Sequence, residues 1–422
     1  MKRTFLFFVI ASIILSSCAD DGRRLLLKAV FPEVEITCDT TGKISPAGFS
    51  ALEPGWMLSS VRLTNGSCAL FTTPDGVAWY DVQTGTTLGR ANSTNARRVF
   101  SSATRLYSNG DLACAASSAA VVAMNTSTGR LAWELNLPDC TLDGKSLTGI
   151  GSSFFVAGKI MDANGRHFET LYKGSLASSA DFGEYITPKY SRQVYTHWCG
   201  YGRVAKLATW ADSDNKEYLI VIFMEPTDEY KTLTFMGLYD IAHQKWVYER
   251  KQLNAQPSHY SVNDVAVANS GLSYILLLDE ILALDILTGT IKASAKLPVG
   301  EYGAFVHGEK VWANQQLMLV KTSGQDIVAY DMATLSRRYR LRQAASPYTH
   351  TDFQLGLLVT SKYNECTVFD IHTGQLRMLV SPPCEGNQPA RLNDAAVCWK
   401  NASGDTQLAL TSDSNIYRYQ LP

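Results

Sequence analysis

The chain is a series of short apolar runs, each closed by a polar turn. GVAWY (76–80), AVVAM (120–124), TLTFMGLY (232–239), EILAL (280–284), DIVAY (326–330) and CTVF (366–369) are rich in β-branched and aromatic residues. Runs this short, bounded by turn residues, predict buried strands rather than helices. An Asp or Asn follows each run directly. Four of the turns it opens end in Gly: Asp81-Val-Gln-Thr-Gly85, Asn125-Thr-Ser-Thr-Gly129, Asp285-Ile-Leu-Thr-Gly289 and Asp370-Ile-His-Thr-Gly374. Two copies lack the Gly: Asp240-Ile-Ala-His-Gln244 and Asp331-Met-Ala-Thr-Leu335. The physical reading is a strand, an Asx turn and a return strand. The carboxylate or amide oxygen accepts backbone N–H bonds within the turn, and Gly supplies a positive φ without a Cβ clash.

These anchors recur at intervals of roughly 40 to 45 residues, a spacing that with strand signals alone predicts a β-propeller of four-stranded blades. One long gap, from Asn125 to Asp240, fits two blades and some extra chain. FFVAGKIMDANGRHFETLYKGSL (154–176), with a hairpin turn at Asn164-Gly165, marks one of those blades. TQLALTSDSNIYRYQLP at the C-terminus supplies a two-strand piece without a return strand. An N-terminal strand is expected to complete that last blade and leave no open edge, with RLLLKAVFPEVEIT (24–37) as donor. The expected fold is therefore all-β, a single propeller of eight blades. Seven is the alternative count, because 177–216 does not divide cleanly.

The unit resembles the repeat of the quinoprotein-like (PQQ-type) propellers, A-x-D-x-x-T-G-x-x-x-W. Ala123, Asn125, Thr128, Gly129 and Trp133 match it, with Asn for Asp. Ala283, Asp285, Thr288 and Gly289 match as well, but Ala293 stands where the Trp belongs. Elsewhere that position holds Gly89, Tyr248, Tyr339 or Met378. In the family the Trp docks between blades, so the resemblance implies that role for Trp133 and a thinner version of it elsewhere. Quinoprotein dehydrogenases of that family are longer and carry adjacent cysteines. This chain has no Cys-Cys pair, and no cofactor is expected.

The N-terminus is of a different kind. Met1-Lys2-Arg3 precedes the apolar run TFLFFVIASIIL, which is too short to span a bilayer and suits a signal-peptide core. It ends in Leu15-Ser16-Ser17-Cys18, which resembles a bacterial lipobox. By that resemblance 1–17 is a signal peptide, Cys18 carries the acyl chains, 18–23 is a tether and 24–422 is the propeller. Ala19 rather than Asp follows the Cys, so delivery to the outer membrane is the expectation. The short acidic leader also resembles surface-export signals of some Gram-negative lipoproteins. The layout of lipobox, tether and single ring is similar to that of the propeller lipoproteins of the outer-membrane β-barrel assembly machinery.

Composition adds little to this and removes some alternatives. Over 422 residues the formal net charge is -1, with no basic block, so nucleic acid is not an expected partner. Nine cysteines include Cys18. The rest form an even set that an oxidising envelope would allow to pair. Cys68, Cys114, Cys366 and Cys398, however, sit in or beside apolar strand runs, where a thiol packs as a small hydrophobe. Unpaired core cysteines are the expectation, and without C-x-x-C no redox or zinc motif is indicated.

The segment YITPKYSRQVYTHWCGYGR (185–203) departs most from the repeat. Tyr190, Arg192, Tyr195, Trp198, Tyr201 and Arg203 combine rigid aromatic area with forked donors, the chemistry of binding hot spots. Such a loop would hold a sugar ring, a peptide strand or a partner protein. The alternative is that its aromatics pack an irregular blade. His197 and Cys199 make only two metal ligands, so no metal is expected. RRYRLR (337–342) reads as an outer strand guarded by charge, and Asp212-Ser-Asp214-Asn-Lys-Glu217 as a solvated hairpin turn rather than a calcium loop. No G-x-S-x-G or H-E-x-x-H occurs. Acids brought together from distant blades, as in propeller glycosidases, would leave no local signature. The expectation is a non-catalytic scaffold for envelope or outer-membrane proteins, with glycan or ligand binding through 185–203 as the alternative.

Overall fold

The computed structural model is an eight-bladed β-propeller, each blade a four-stranded antiparallel sheet. It describes residues 48–421 apart from 52–57, 74–75, 94–99, 101–103, 138–139, 162–166, 187–202, 227–231, 255–261, 300–307, 343, 345–347, 363–364, 381–383, 386–387, 390–391 and 413–414. Blades 1 to 7 span 58–92, 106–136, 140–186, 203–252, 262–296, 308–341 and 348–380. Blade 8 takes three strands from 392–420 and its fourth, outer strand from Gly48–Ala51. Among the described residues no helix is long and apolar enough to cross a membrane.

Ring closure is by an N-terminal strand, but by a different one from the expected donor. Gly48–Ala51 pairs antiparallel with Asn415–Gln420, while 24–37 lies outside the described residues. The reason is chain economy. Each outer strand is followed, after one connection, by the inner strand of the next blade. Gly48–Ala51 stands at that distance ahead of Leu58–Asn65, and 24–37 does not. The segment 177–216 also resolves. It holds Ser178–Ile186, the outer strand of blade 3, and Arg203–Ala211, the inner strand of blade 4. Eight blades, not seven, result.

The apolar runs are the middle strands. Leu112–Ala116 and Ala120–Asn125 are buried almost throughout, because a neighbouring blade covers each face of the sheet. Outer strands such as Ile291–Lys296 face solvent and mix Lys and Ser with Ile and Ala in place of a continuous apolar run. The core is divided into apolar clusters, one between each pair of neighbouring blades. Cys114, Cys366 and Cys398 are buried in three of the blades, and together with Cys68 and Cys140 they are thiols rather than disulfides. Burial pushes the thiols of Cys114, Cys366 and Cys398 up.

The turns follow one plan. Asn125, Asp285 and Asp370 each accept, through Oδ1, the amide three residues on at 3.0 Å, and Asp81 accepts that of Gln83 at 3.0 Å. The amides of Gly85, Gly129, Gly289 and Gly374 return to the carbonyl of the turn-opening residue. These glycines have positive φ; in the two degraded copies Gln244 (φ 50) and Leu335 (φ 53) take the same left-handed conformation. At Asp331 the Arg338 guanidinium, then the Thr334 amide, holds the carboxyl down at about 2.

The outer strands clasp the next blade at these turns. Trp133 donates Nε1–H to the Leu176 carbonyl at 2.8 Å and stacks on Phe154 at 6.1 Å. Tyr248 donates its hydroxyl to the Ile286 carbonyl at 2.7 Å, Tyr185 to that of Ile241 at 3.2 Å, and Tyr339 to that of Ile371. Ile241, Ile286 and Ile371 each follow a turn-opening Asp. Tyr therefore replaces Trp without loss of the contact. Two of the rings lie over the turn glycine: a Cβ on Gly374 would come within 2.7 Å of the Tyr339 ring, and one on Gly289 within 3.1 Å of the Tyr248 ring. Between blades 1 and 2 backbone meets backbone, since a Cβ on Gly89 would lie 2.1 Å from the Gly129 carbonyl oxygen.

The two faces of the ring differ. On one, the connections are tight: 66–67, 110–111 and 151–152 within blades, together with the Asx turns. At the other, each outer strand ends and the first strand of the next blade begins, as at Asn92 and Leu106, Ile186 and Arg203, Gln252 and Val262, and Lys296 and Gly308. These are called the turn face and the loop face below.

Two glycines separate backbone strain from close approach. Gly110 has φ +57 with open space around it; Gly129 has φ +67, and a Cβ there would lie 2.2 Å from the Leu88 carbonyl oxygen. Gly110→Ala should cost about 1 kcal/mol, the price of a left-handed Ala. Gly129→Ala should cost about 3 kcal/mol, because a backbone contact must also open. Urea unfolding midpoints of the two variants check the order.

Candidate functional site

The first strands of neighbouring blades pack side by side and line the axis, Cys140–Ile150 against Arg203–Ala211 and that against Val262–Val267. Their early residues lie at the loop face, because each first strand begins there. A cavity of about 420 Å³ opens at this end, between blades 3, 4 and 5. Asp143 and Lys145 come from the first strand of blade 3, Lys159 and Glu169 from its middle strands, Lys206 from blade 4 and Asn263 from blade 5. Alternation along Cys140–Ile150 places Asp143 and Lys145 outward from the sheet and Leu142 in the core.

Charged groups at the mouth are tied across blades. Arg105, just ahead of blade 2, reaches Asp264 of blade 5 at 3.1 Å, so this ion pair crosses the channel. The other Asp264 oxygen accepts the amide of Val311 in blade 6 at 3.0 Å, and Lys206 of blade 4 stands 3.9 Å from the first. Asp264 is 4% exposed. Glu169 does the same two interfaces earlier. It accepts the Val204 amide and lies 3.7 Å from Lys159. Each carboxylate thus caps an amide near the start of the next blade's inner strand. Burial pushes the Lys206 ammonium down, opposed by Asp264 and assisted by Arg105. Further round the channel, loss of hydration pushes the His350 imidazole down to about 4, with Asp352 opposing and Lys310 assisting.

The residues singled out in the sequence are placed as follows. Tyr190, Arg192, Tyr195, Trp198 and Tyr201 lie outside the described residues, as does Cys18. Arg203 opens the inner strand of blade 4, opposite Met224. Tyr185, at the start of the aromatic segment, is an inter-blade residue: it packs on Phe155 and Tyr239, and burial pushes its hydroxyl up to about 12. The chain leaves blade 3 at Ile186 and enters blade 4 at Arg203, and Val204 and Lys206 line the cavity. Arg338 and Arg340 of the basic strand pair with Asp331 and Asp326. Asp212 accepts the amides of Asp214 and Lys216 at 2.9 Å within a hairpin turn. Arg105, Asp143, Lys145, Lys206 and Asp264 have no local motif; polar residues early in first strands were their only signal.

No known-family model matches the chain, and no curated protein matches it. Solved structures match in fold. Sqt1 of Saccharomyces cerevisiae is 12% identical with a TM-score of 0.58, over 90% of this chain and 100% of that one. BamB from Moraxella catarrhalis is 14% identical with a TM-score of 0.53, again over 90% and 100%. A europium-containing methanol dehydrogenase is 10% identical with a TM-score of 0.56, over 90% of this chain and 93% of that one. At these identities the likeness is one of fold: the propeller architecture is shared with BamB and with the dehydrogenase.

Two measurements probe the channel wall. Asp264→Ala leaves the Val311 amide without its acceptor and Lys206 without its nearest carboxylate. It should cost about 3 kcal/mol, and Arg105→Ala, whose side chain is 37% exposed, about 1 kcal/mol. Urea melts of both and of the double variant give the coupling. His350 titrates near 6.5 when unfolded and about 4 when folded. Between these values the unfolded chain binds a proton that the folded chain does not, so stability falls as pH drops from about 6.5 towards 4. His350→Gln should flatten that part of the stability–pH curve.

Proposed function

We propose that this protein is a non-catalytic lipoprotein of the bacterial envelope that presents its loop face to other envelope proteins. The observation that carries the reading is the difference between the two faces. The turn face is a set of tight turns fixed by their own hydrogen bonds, with little to offer a partner. Every blade-to-blade connection starts and ends on the loop face, and loops held by a rigid scaffold are where recognition concentrates. The aromatic 187–202 segment, which holds Arg192, begins and ends on that face. The lipobox at Cys18 supports a lipid anchor, and Ala19 supports delivery to the outer membrane. At roughly 0.8 kcal/mol per buried CH₂, two or more acyl chains give stable anchoring. The fold shared with BamB supports a propeller of this layout in an envelope role.

The non-catalytic part of the reading rests on the channel chemistry. Asp264 is engaged by Arg105 and the Val311 amide, and Glu169 by the Val204 amide and Lys159. A carboxylate so engaged is poorly placed for general acid–base work.

The test uses the tagged, full-length protein in mild detergent, crosslinked, purified and followed by mass spectrometry. Stoichiometric recovery of an envelope protein is expected, with loss of that recovery when Trp198 and Arg192 are changed to Ala. Recovery of the protein alone after crosslinking overturns the scaffold reading. In the same cells, incorporation of labelled palmitate should be abolished by Cys18→Ser; continued labelling overturns the anchor.

A further inference from the structure

We propose that the loop-face cavity between blades 3, 4 and 5 is a binding site for a small anion bearing carboxylate or phosphate groups, held by Lys145 and Lys206. The cavity measures about 420 Å³, inside the range of roughly 300–1,000 Å³ typical of small-molecule sites. Its walls come from three consecutive blades, so the packing of their first strands against one another makes it.

The charges in those walls decide the ligand class. Lysines 145, 159 and 206 face Asp143 and Glu169. Glu169 is 6% exposed and engaged by the Val204 amide and by Lys159 at 3.7 Å. That pair largely cancels. Asp264, beside the cavity, is engaged by Arg105 at 3.1 Å and by the Val311 amide at 3.0 Å. Lys206 stands 3.9 Å from Asp264, beyond hydrogen-bond reach, with its side chain only 20% exposed. Among the described residues, what remains is Lys145 and Lys206 against Asp143, an excess of positive charge in a recess where water screens poorly. In such a place an ammonium is stabilised by an incoming anion more than on an open surface. The depressed pKa of Lys206 has the same origin, and a bound anion reverses it. Asp143, whose Oδ1 accepts the Lys145 amide at 3.1 Å, opposes the anion and sets the sign test.

The site does not depend on the scaffold reading, and its test needs no partner. Purified full-length protein in chloride buffer is titrated calorimetrically with inorganic phosphate and, separately, with citrate, at matched ionic strength. Saturable binding of at least one probe is expected. Binding of phosphate only assigns a phosphate-bearing ligand, and binding of citrate only a polycarboxylate. Lys145→Gln, at an exposed position, should weaken binding about tenfold; Lys206→Gln should do the same, and Lys206→Arg should retain most of it. Asp143→Asn should tighten binding several-fold. Lys216→Gln, in the 212–216 hairpin of the turn face, should leave it unchanged. Absence of saturable binding for both probes overturns the site. So does equal binding by the Lys145→Gln and Lys216→Gln proteins, or weaker binding by Asp143→Asn.

Discussion

Everything in this fold depends on the middle strands being covered from both sides. A run such as Ala120–Asn125 is buried across its whole width only when blades 1 and 3 are both in place. No blade supplies its own core, because the apolar clusters sit between blades. Cohesion is then cyclic, and the pairing of Gly48–Ala51 with Asn415–Gln420 is the step that makes it complete. A ring left open would expose two apolar blade faces at once, a far larger defect than an ordinary frayed end. That single short strand therefore carries a share of stability out of proportion to its own hydrogen bonds.

The clasps show how such a ring tolerates sequence drift. Trp133, Tyr185, Tyr248 and Tyr339 differ in ring and in polar atom, yet each donates to a main-chain carbonyl of the next blade. The acceptor is backbone, so it does not change when the side chain there does. What the neighbouring turn must keep is room for the ring, and Gly289 and Gly374 provide it. Where no ring is present, as at Gly89, the two backbones close the gap themselves. The repeat is therefore conserved as a geometry more than as a set of letters. This fits a chain that matches solved propellers in fold at 10–14% identity.

The same logic explains what the sequence made legible. The Asx turns are local: Asp or Asn, the Thr and the Gly lie within one turn, so the anchors and the blade count could be read directly. Middle strands were legible because double-sided burial leaves continuous apolar runs. The closing strand was not. GFSA (48–51) has no pattern of its own, and its partner lies at the far end of the chain, whereas 24–37 looked more like a strand in isolation. The boundary between blades 3 and 4 was hidden by the aromatic 187–202 insertion. Tyr185, grouped with that insertion, belongs to the clasp series. The channel residues were least legible of all. Arg105 and Asp264 are 159 residues apart in sequence and meet only because an eight-membered ring brings blades 2 and 5 to one neck.

That meeting has a consequence for recognition. A salt bridge between neighbouring blades would restrain one interface, whereas one that crosses the channel restrains its width. Arg105 and Asp264 cannot separate without leaving a nearly buried carboxylate short of a charged partner, at a cost of about 1 kcal/mol. The Val311 amide donates to the same carboxylate and Lys206 stands 3.9 Å from it, so blades 2, 4, 5 and 6 meet around one charge. The neck of the loop face is accordingly set before any ligand or partner arrives. A surface of this kind recognises by complementarity of a fixed shape and charge, with little ordering entropy to lose from the scaffold itself. Adaptability, where recognition requires it, has to come from the loops that the ring carries and not from movement of its blades.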